Sequence, residues 1–287
     1  MCGIIGYSGP KEPLPILIGG LSRLEYRGYD SAGVAILDGE KLTIEKKEGK
    51  LQILKDHLEN SKINGNIGIG HTRWATHGVP NDVNAHPHSD NQKEFAIIHN
   101  GIIENYAEMK DDLLKEDFIF ESDTDTEVVA VELGNQWTGR LLETVTNVAK
   151  KLDGTYALVV TSTKEPGTIV AGRMMSPLVL GVGEGETFLA SDSAAILEHT
   201  NKMIFLENGD FVEITNGKFK LFDINMNEIS REIQEIDWKV SEAEKSGYDH
   251  FMYKEILEQA EVIERTISGR LEVCLLYTSP SPRDTIR

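Results

Sequence analysis

Apolar positions along this chain follow two rhythms, and each rhythm comes in blocks. Apolar residues at every second place, or in short unbroken runs, mark strands at 2–7, 31–37, 42–46, 67–71, 95–99, 155–161, 169–171, 178–182, 187–190 and 211–214. Spacing of three to four marks helices at 51–59, 106–115, 126–137 and 141–151. A further, Pro-flanked helix carries Ile16, Leu17, Leu21 and Leu24 on one face and ends before Gly28. Strands mostly follow strands instead of alternating one for one with helices. That grouping predicts an α+β domain through about residue 222, with antiparallel sheets and helices packed outside them. From 223 to 247 the text is polar and acidic with no sustained period, the pattern of a linker. A helix spans 248–271, with Phe251, Ile256, Leu257, Ala260, Ile263 and Ile267 in a wide apolar stripe and little chain left to cover it. It reads as the first element of a further domain.

Bulk properties narrow the class. The chain has 287 residues, 40% hydrophobic and 26% charged, an ordinary globular composition. Against 29 Lys and Arg stand 47 Asp and Glu, a net charge of -18 that disfavours nucleic acid and anionic membrane surfaces as partners. The N-terminus lacks a basic export region, and no apolar run approaches the ~20 residues of a membrane span, so neither export nor insertion is expected. Cys2 and Cys274 lie far apart and make no disulfide framework, which fits a reducing, cytoplasmic setting. The segment 274–284, CLLYTSPSPRD, breaks with everything before it and matches one reading frame of a transposase-type sequencing-library adapter. Residues 272–287 are therefore expected to be a non-native tail.

The candidate chemistry starts at Cys2. Removal of Met1, expected ahead of a small side chain, would set a free α-amine beside the thiol. With pKa values near ~8.5 for a thiol and ~7.7–8.0 for an α-amine, one residue can supply both nucleophile and base. A near-terminal cysteine is more often a small buried hydrophobe, and position alone does not decide. In LEYRGYDSAG (24–33), Gly28 and Asp30 make a helix-to-strand turn but leave Arg27 unexplained. GHTRWATHG (70–78) leaves a strand and sets Arg73, Trp74, Thr76 and His77 in a loop, where binding groups concentrate. Asn100-Gly101, taken alone, reads as a hairpin turn. Thr124 and Glu127 have capping-box spacing, which leaves Asp125 available to a ligand. His71, His77, His86, His88 and His99 raise the question of a metal, but no zinc spacing is present and none is expected. The Gly-rich run 181–186 lacks both the last Gly of a dinucleotide loop and the Lys of a P-loop, and reads as a hairpin.

Taken together, MCGIIGY, LEYRGYDSAG, HTRWATHG, NAHPH, HNGIIEN and SDTDTE resemble, in order, the glutaminase half of the isomerising glutamine–fructose-6-phosphate aminotransferases, with similarity from Met1 to about Leu271. These belong to the N-terminal-nucleophile (class II) amidotransferases. The resemblance implies a four-layer αββα sandwich of two stacked antiparallel sheets. It implies that Cys2 attacks L-glutamine to form a γ-glutamyl thioester, with Asn100 and Gly101 stabilising the oxyanion. Arg73 would take the substrate carboxylate and Asp125 its ammonium; Trp74, Thr76 and His77 would lie against it, and Arg27 would support the site. No cofactor is implied. Ammonia would pass to a sugar-isomerase domain that binds fructose 6-phosphate and is missing from this chain, in a full-length protein expected to be a homo-oligomer. Two alternatives stand beside this reading: the glutaminase domain of a purine or asparagine amidotransferase, and a non-catalytic glutamine-binding module.

Overall fold

Ile67-Gly-Ile-Gly-His-Thr-Arg73 alternates branched side chains with glycines, and in an extended strand these fall on opposite faces. The glycine face lets a helix come close: a Cβ on Gly68 would meet Leu17 Cδ1 at 2.7 Å. The branched face turns inward. This strand shows the plan of the whole fold in a computed structural model that describes residues 2–59, 61–75, 78–237, 248 and 251–267.

Among the described residues two sheets form, and every ladder between named strands is antiparallel. The first runs in the order β15 (Gln234–Glu235), β11 (Lys202–Phe205), β9 (Val179–Val182), β10 (Thr187–Ala190), β1 (Gly3–Ser8), β4 (Ile67–Arg73), β2 (Ser31–Asp38) and β3 (Lys41–Glu48). The second runs β14 (Glu228–Ile229), β13 (Lys218–Phe222), β12 (Phe211–Thr215), β8 (Thr168–Met174), β7 (Gly154–Ser162), β6 (Phe95–Ile103) and β5 (His88–Ser89). Between the sheets lies one apolar layer: Ile4, Ala35, Ile67 and Ile69 from the first meet Ala96, Ile98, Val159, Ala171 and Val212 from the second. Each such fully buried branched side chain contributes ~1.5–3 kcal/mol.

Helices complete the four layers. Over the first sheet lie α1 (Pro13–Leu24) and α2 (Leu51–Leu58), and α1 buries the Leu17, Leu21 and Leu24 face that its spacing predicts. The outer face of the second sheet, with Phe95, Ile97, Leu158 and Val170, packs on Val129 and Leu133 of α4 (Asp125–Asn135) and on Leu141, Leu142, Val145 and Val148 of α5 (Leu141–Ala149). Leu113 of α3 (Tyr106–Lys115) packs in turn on Val128 and Val131 of α4. The αββα sandwich expected from the resemblance is therefore the architecture found.

Several local expectations change. Residues 100–101 make no turn: β6 runs straight through them, because Gly101 sits at φ +138°, an extended conformation open to glycine. Arg73 closes strand β4 and is buried, instead of lying in the loop that follows. Residues 223–237, polar enough to read as linker, belong to the first compact unit, which runs to Asp237. Their two-residue strands β14 and β15 pair through main-chain groups, and main-chain pairing leaves no hydrophobic pattern in the sequence. The run after β9 is the expected hairpin, joining it to β10. In the second unit, the described helix α6 covers Phe251–Ile267 within the expected 248–271. Thr76, His77 and the tail 272–287 lie outside the described residues.

Candidate active site

At one end of the inter-sheet layer the apolar alternation gives way to polar side chains without changing step. In β4 the face that carries Ile67 and Ile69 continues as His71 and Arg73; in β6 the face that carries Ala96 and Ile98 continues as Asn100. Cys2, just ahead of β1, lies beside them, since Gly3 pairs with Thr72 and Ile4 with His71. A cavity of about 320 Å3 opens there, lined by Cys2, Arg27, Arg73, Trp74, Asn100, Gly101 and Asp125 among others. Seven of the nine residues singled out from the sequence thus converge on one space, and Thr76 and His77 are the two outside the described residues. The volume sits in the ~300–1,000 Å3 range of small-molecule pockets.

Cys2 Sγ accepts from the Trp74 N–H at 3.2 Å and lies 3.6 Å from the Trp74 carbonyl oxygen. Burial pushes its thiol pKa up, while the Trp74 N–H and the Arg73 charge pull the other way. The resting group is a thiol that needs a base. The loop bearing Trp74 is pinned by Asp30, whose carboxylate accepts from Ala75 N at 2.8 Å and whose own N–H donates to Arg73 O. Trp74 itself is half exposed and meets Tyr29 edge-on, ring centroids 5.7 Å apart.

Asn100 is buried and fully determined. Its Nδ2 donates to the Cys2 carbonyl at 3.0 Å, and its Oδ1 lies 2.9 Å from His71 Nε2. Gly101 admits no side chain, since a Cβ there would fall 1.9 Å from Thr155 O. Across the cavity, Asp125 is the first residue of α4, where the helix dipole favours an anion. One carboxylate oxygen accepts from Ile103 N at 2.9 Å. The capping box is half formed: Thr124 Oγ1 accepts from Glu127 N, but Glu127 reaches past the cap to accept from Glu121 N and Ser122 N. Arg73 donates to Gly78 O, and although burial lowers its pKa the charges of Cys2, Asp30 and Asp125 oppose that. Arg27 pairs with Asp192 and donates to Ser191 O, so it ties the turn after α1 to the end of β10.

At the cavity wall, which His86 and His99 help to line, four histidines, His71, His86, His88 and His99, pack together, with His71 and His86 centroids 4.3 Å apart and His86 and His88 4.7 Å apart. Burial lowers the pKa of all four, that of His71 to about 3, so they are neutral at working pH. Their nitrogens meet hydroxyls and carbonyls: His86 and His99 share Thr126 Oγ1, and His88 meets Thr124 Oγ1. Among the described residues no three His, Cys, Asp or Glu side chains are placed to hold a metal ion. The sequence offered these histidines as metal ligands and Asp30 as a turn residue, and gave no sign of Thr126 or Asp192 at the site. The period-two spacing of His71 to Arg73 was the one available signal that His71 faces the site.

Residues 56–248 match the glutamine amidotransferase domain family, and the chain belongs to that family. It is 49% identical over 269 residues to the isomerizing glutamine–fructose-6-phosphate aminotransferase of Fusobacterium nucleatum, covering 93% of this chain and 44% of that protein. The enzyme of the same name from Aquifex aeolicus is 48% identical over 271 residues, covering 94% and 46%. The chain thus spans less than half the length of these curated relatives. Among solved structures, glutamine phosphoribosylpyrophosphate amidotransferase from B. subtilis, complexed with ADP and GMP, matches with a TM-score of 0.69 and 29% identity, over 79% of this chain and 50% of that one. Among the described residues no helix is long and apolar enough to cross a membrane.

Proposed function

We propose that this chain hydrolyses L-glutamine to glutamate and ammonia, as the ammonia-donating half of a glutamine–fructose-6-phosphate aminotransferase. The observation that carries the reading is the meeting of Cys2, Asn100, Arg73 and Asp125 around one cavity of amino-acid size. Arg73 would take the α-carboxylate of glutamine and Asp125 its α-ammonium, so that the side-chain amide reaches Cys2. With Met1 removed, the α-amine of Cys2 takes the thiol proton as Sγ adds to the amide carbon. Asn100 Nδ2 and the Gly101 N–H hold the oxyanion. The intermediate collapses, the C–N bond breaks, and the α-ammonium returns its proton to the departing ammonia. Water, giving a proton to the same amine, then cleaves the thioester and frees glutamate.

Trp74, Thr76 and His77 would lie against the glutamine, Trp74 shielding the thioester, with Arg27 bracing the turn after α1. Identity near one half with two sugar aminotransferases favours the sugar enzyme over the purine one, which matches at 29%. The acceptor chemistry belongs to a sugar-isomerase domain that would follow α6 and bind fructose 6-phosphate, in a cytoplasmic homo-oligomer. The test is glutamate release by the purified chain with Met1 removed, with N-terminal mass checked. Cys2→Ala and a form with a retained N-terminal tag should both be inactive. Comparable turnover in the tagged form would refute the α-amine as base.

A further inference from the structure

The amide of Asn100 can stabilise an oxyanion in only one of its two orientations, and its hydrogen-bond neighbours select that one. His71 Nε2 lies 3.0 Å from the His99 carbonyl oxygen, which can only accept, so Nε2 must carry the hydrogen. The Asn100 atom 2.9 Å from the same nitrogen must then be the acceptor, Oδ1. That leaves Nδ2 toward Cys2, where the Cys2 carbonyl, also an acceptor, receives one of its two hydrogens at 3.0 Å. Asn100 lines the cavity, so the second hydrogen is available to a ligand.

We infer that His71 is a positioning residue: its Nε2–H, held by the His99 carbonyl, fixes the Asn100 amide so that Nδ2 serves the Cys2 reaction centre. The inference rests on the glutaminase reading above, and its own content is the hydrogen bond behind Asn100. The surroundings suit the task. His71 is fully buried, in strand β4 between β1 and β2, and its ring packs on that of His86. Its Nδ1 is buried with no hydrogen-bond partner, so nothing there rewards the other tautomer. Thr72 and Arg73 follow directly, so one strand delivers the group that orients the amide and the guanidinium proposed for the substrate carboxylate. Without the Nε2–H, Oδ1 of Asn100 is left buried and unsatisfied, and the amide turns or withdraws to repair it.

The test compares three substitutions in the chain with Met1 removed. His71→Leu and His71→Asn remove a donor at the Nε2 position; His71→Gln restores an amide N–H there. Removing an oxyanion donor outright costs ~10²–10³ in rate, so a misdirected one should cost roughly 10- to 100-fold in kcat for glutamine hydrolysis, with KM within about threefold. His71→Gln should recover kcat to within about threefold of wild type. In an Asn100→Ala background, His71→Asn should lower kcat by less than about twofold, since the group it orients is gone. Wild-type kcat in folded His71→Asn, a Gln variant as impaired as Asn, or a loss confined to KM overturns the positioning role. A 15N spectrum of wild type needs no variant: His71 should be the Nε2–H tautomer, and the Nδ1–H tautomer overturns the inference. If instead wild type releases no glutamate, or Asn100→Ala keeps full activity, the glutaminase reading itself falls.

Discussion

Gly101→Ala should damage stability and catalysis together, and the size of both effects follows from one contact. Gly101 lies inside β6 at φ +138°, where an added Cβ would sit 1.9 Å from Thr155 O, 2.7 Å from Thr155 C and 2.9 Å from His99 Nε2. Two of those atoms are backbone of the partner strand β7, which cannot swing aside as a side chain can. The strands must part by about 1 Å where Gly101 faces Tyr156 and Asn100 faces Ala157. One or two ladder hydrogen bonds are weakened, at ~0.5–1.5 kcal/mol each, and alanine at this φ adds ~1–3 kcal/mol. A loss of about 2–5 kcal/mol lowers Tm by roughly 5–20 °C at ~2–4 °C per kcal/mol. The same displacement moves Asn100, and a ~1 Å error in a catalytic group can cost ~10²-fold in rate. The assay is a thermal melt beside glutamate release, with Gly19→Ala as control. Gly19 lies in α1 with nothing within 4 Å of an added Cβ, so alanine there should raise stability by ~0.5–1 kcal/mol. Gly101→Ala melting within about 2 °C of wild type, at full turnover, would sink the argument.

Two further outcomes follow from the charges around the cavity. Arg73→Lys keeps the charge but loses the planar fork, so KM for glutamine should rise ~10- to 100-fold, the equivalent of one charged hydrogen bond of ~1.5–3 kcal/mol; steady-state kinetics showing an unchanged KM contradict the carboxylate assignment. Acid should unfold the domain early. His71, His86, His88 and His99 all have folded pKa values below the ordinary ~6.5, that of His71 at about 3, through burial. A group whose folded pKa is depressed stabilises the fold above its unfolded pKa and loses that contribution as pH falls. His71 should therefore remove about 1.4 kcal/mol per pH unit between ~6.5 and its folded value of about 3, and His86, His88 and His99 act in the same direction. A urea midpoint that stays constant from about pH 7.5 to 5.5 would contradict this.

How much of this was legible in the sequence differs by element for physical reasons. The strands of the inter-sheet layer announce themselves because Ile67, Ile69, Ala96 and Ile98 bury one face each, and burial is what period-two alternation records. Helix α5 is as plain, since Leu141, Leu142, Val145 and Val148 all meet the second sheet. The strands β5, β14 and β15 have two residues apiece and left no period to find. Strands β11 and β13 did: Met203, Ile204 and Leu221 are buried in short runs that were passed over. Asn100-Gly101 looked like a turn because local chemistry cannot distinguish a glycine that reverses the chain from one that admits a neighbouring strand.

The site divides along a different line. Cys2, Arg73, Asn100 and Asp125 could be named from short motifs because each would meet the ligand itself, and such contacts demand particular residue types. His71 could not be named, because its role depends on which atom of another strand it meets. That meeting is set by β4 and β6 lying in different sheets that face each other across the core, a long-range fact with no local trace. Five histidines in the sequence therefore prompted a question about metals, when the arrangement answers one about hydrogen-bond direction. A neutral imidazole with both acceptors on one nitrogen sets the orientation of Asn100, and burial keeps it neutral well into acid. The positioning can then outlast any change in bulk pH that leaves the fold intact, so loss of activity on the acid side should follow protonation of the Cys2 α-amine and then unfolding of the domain, and not titration of His71 within it.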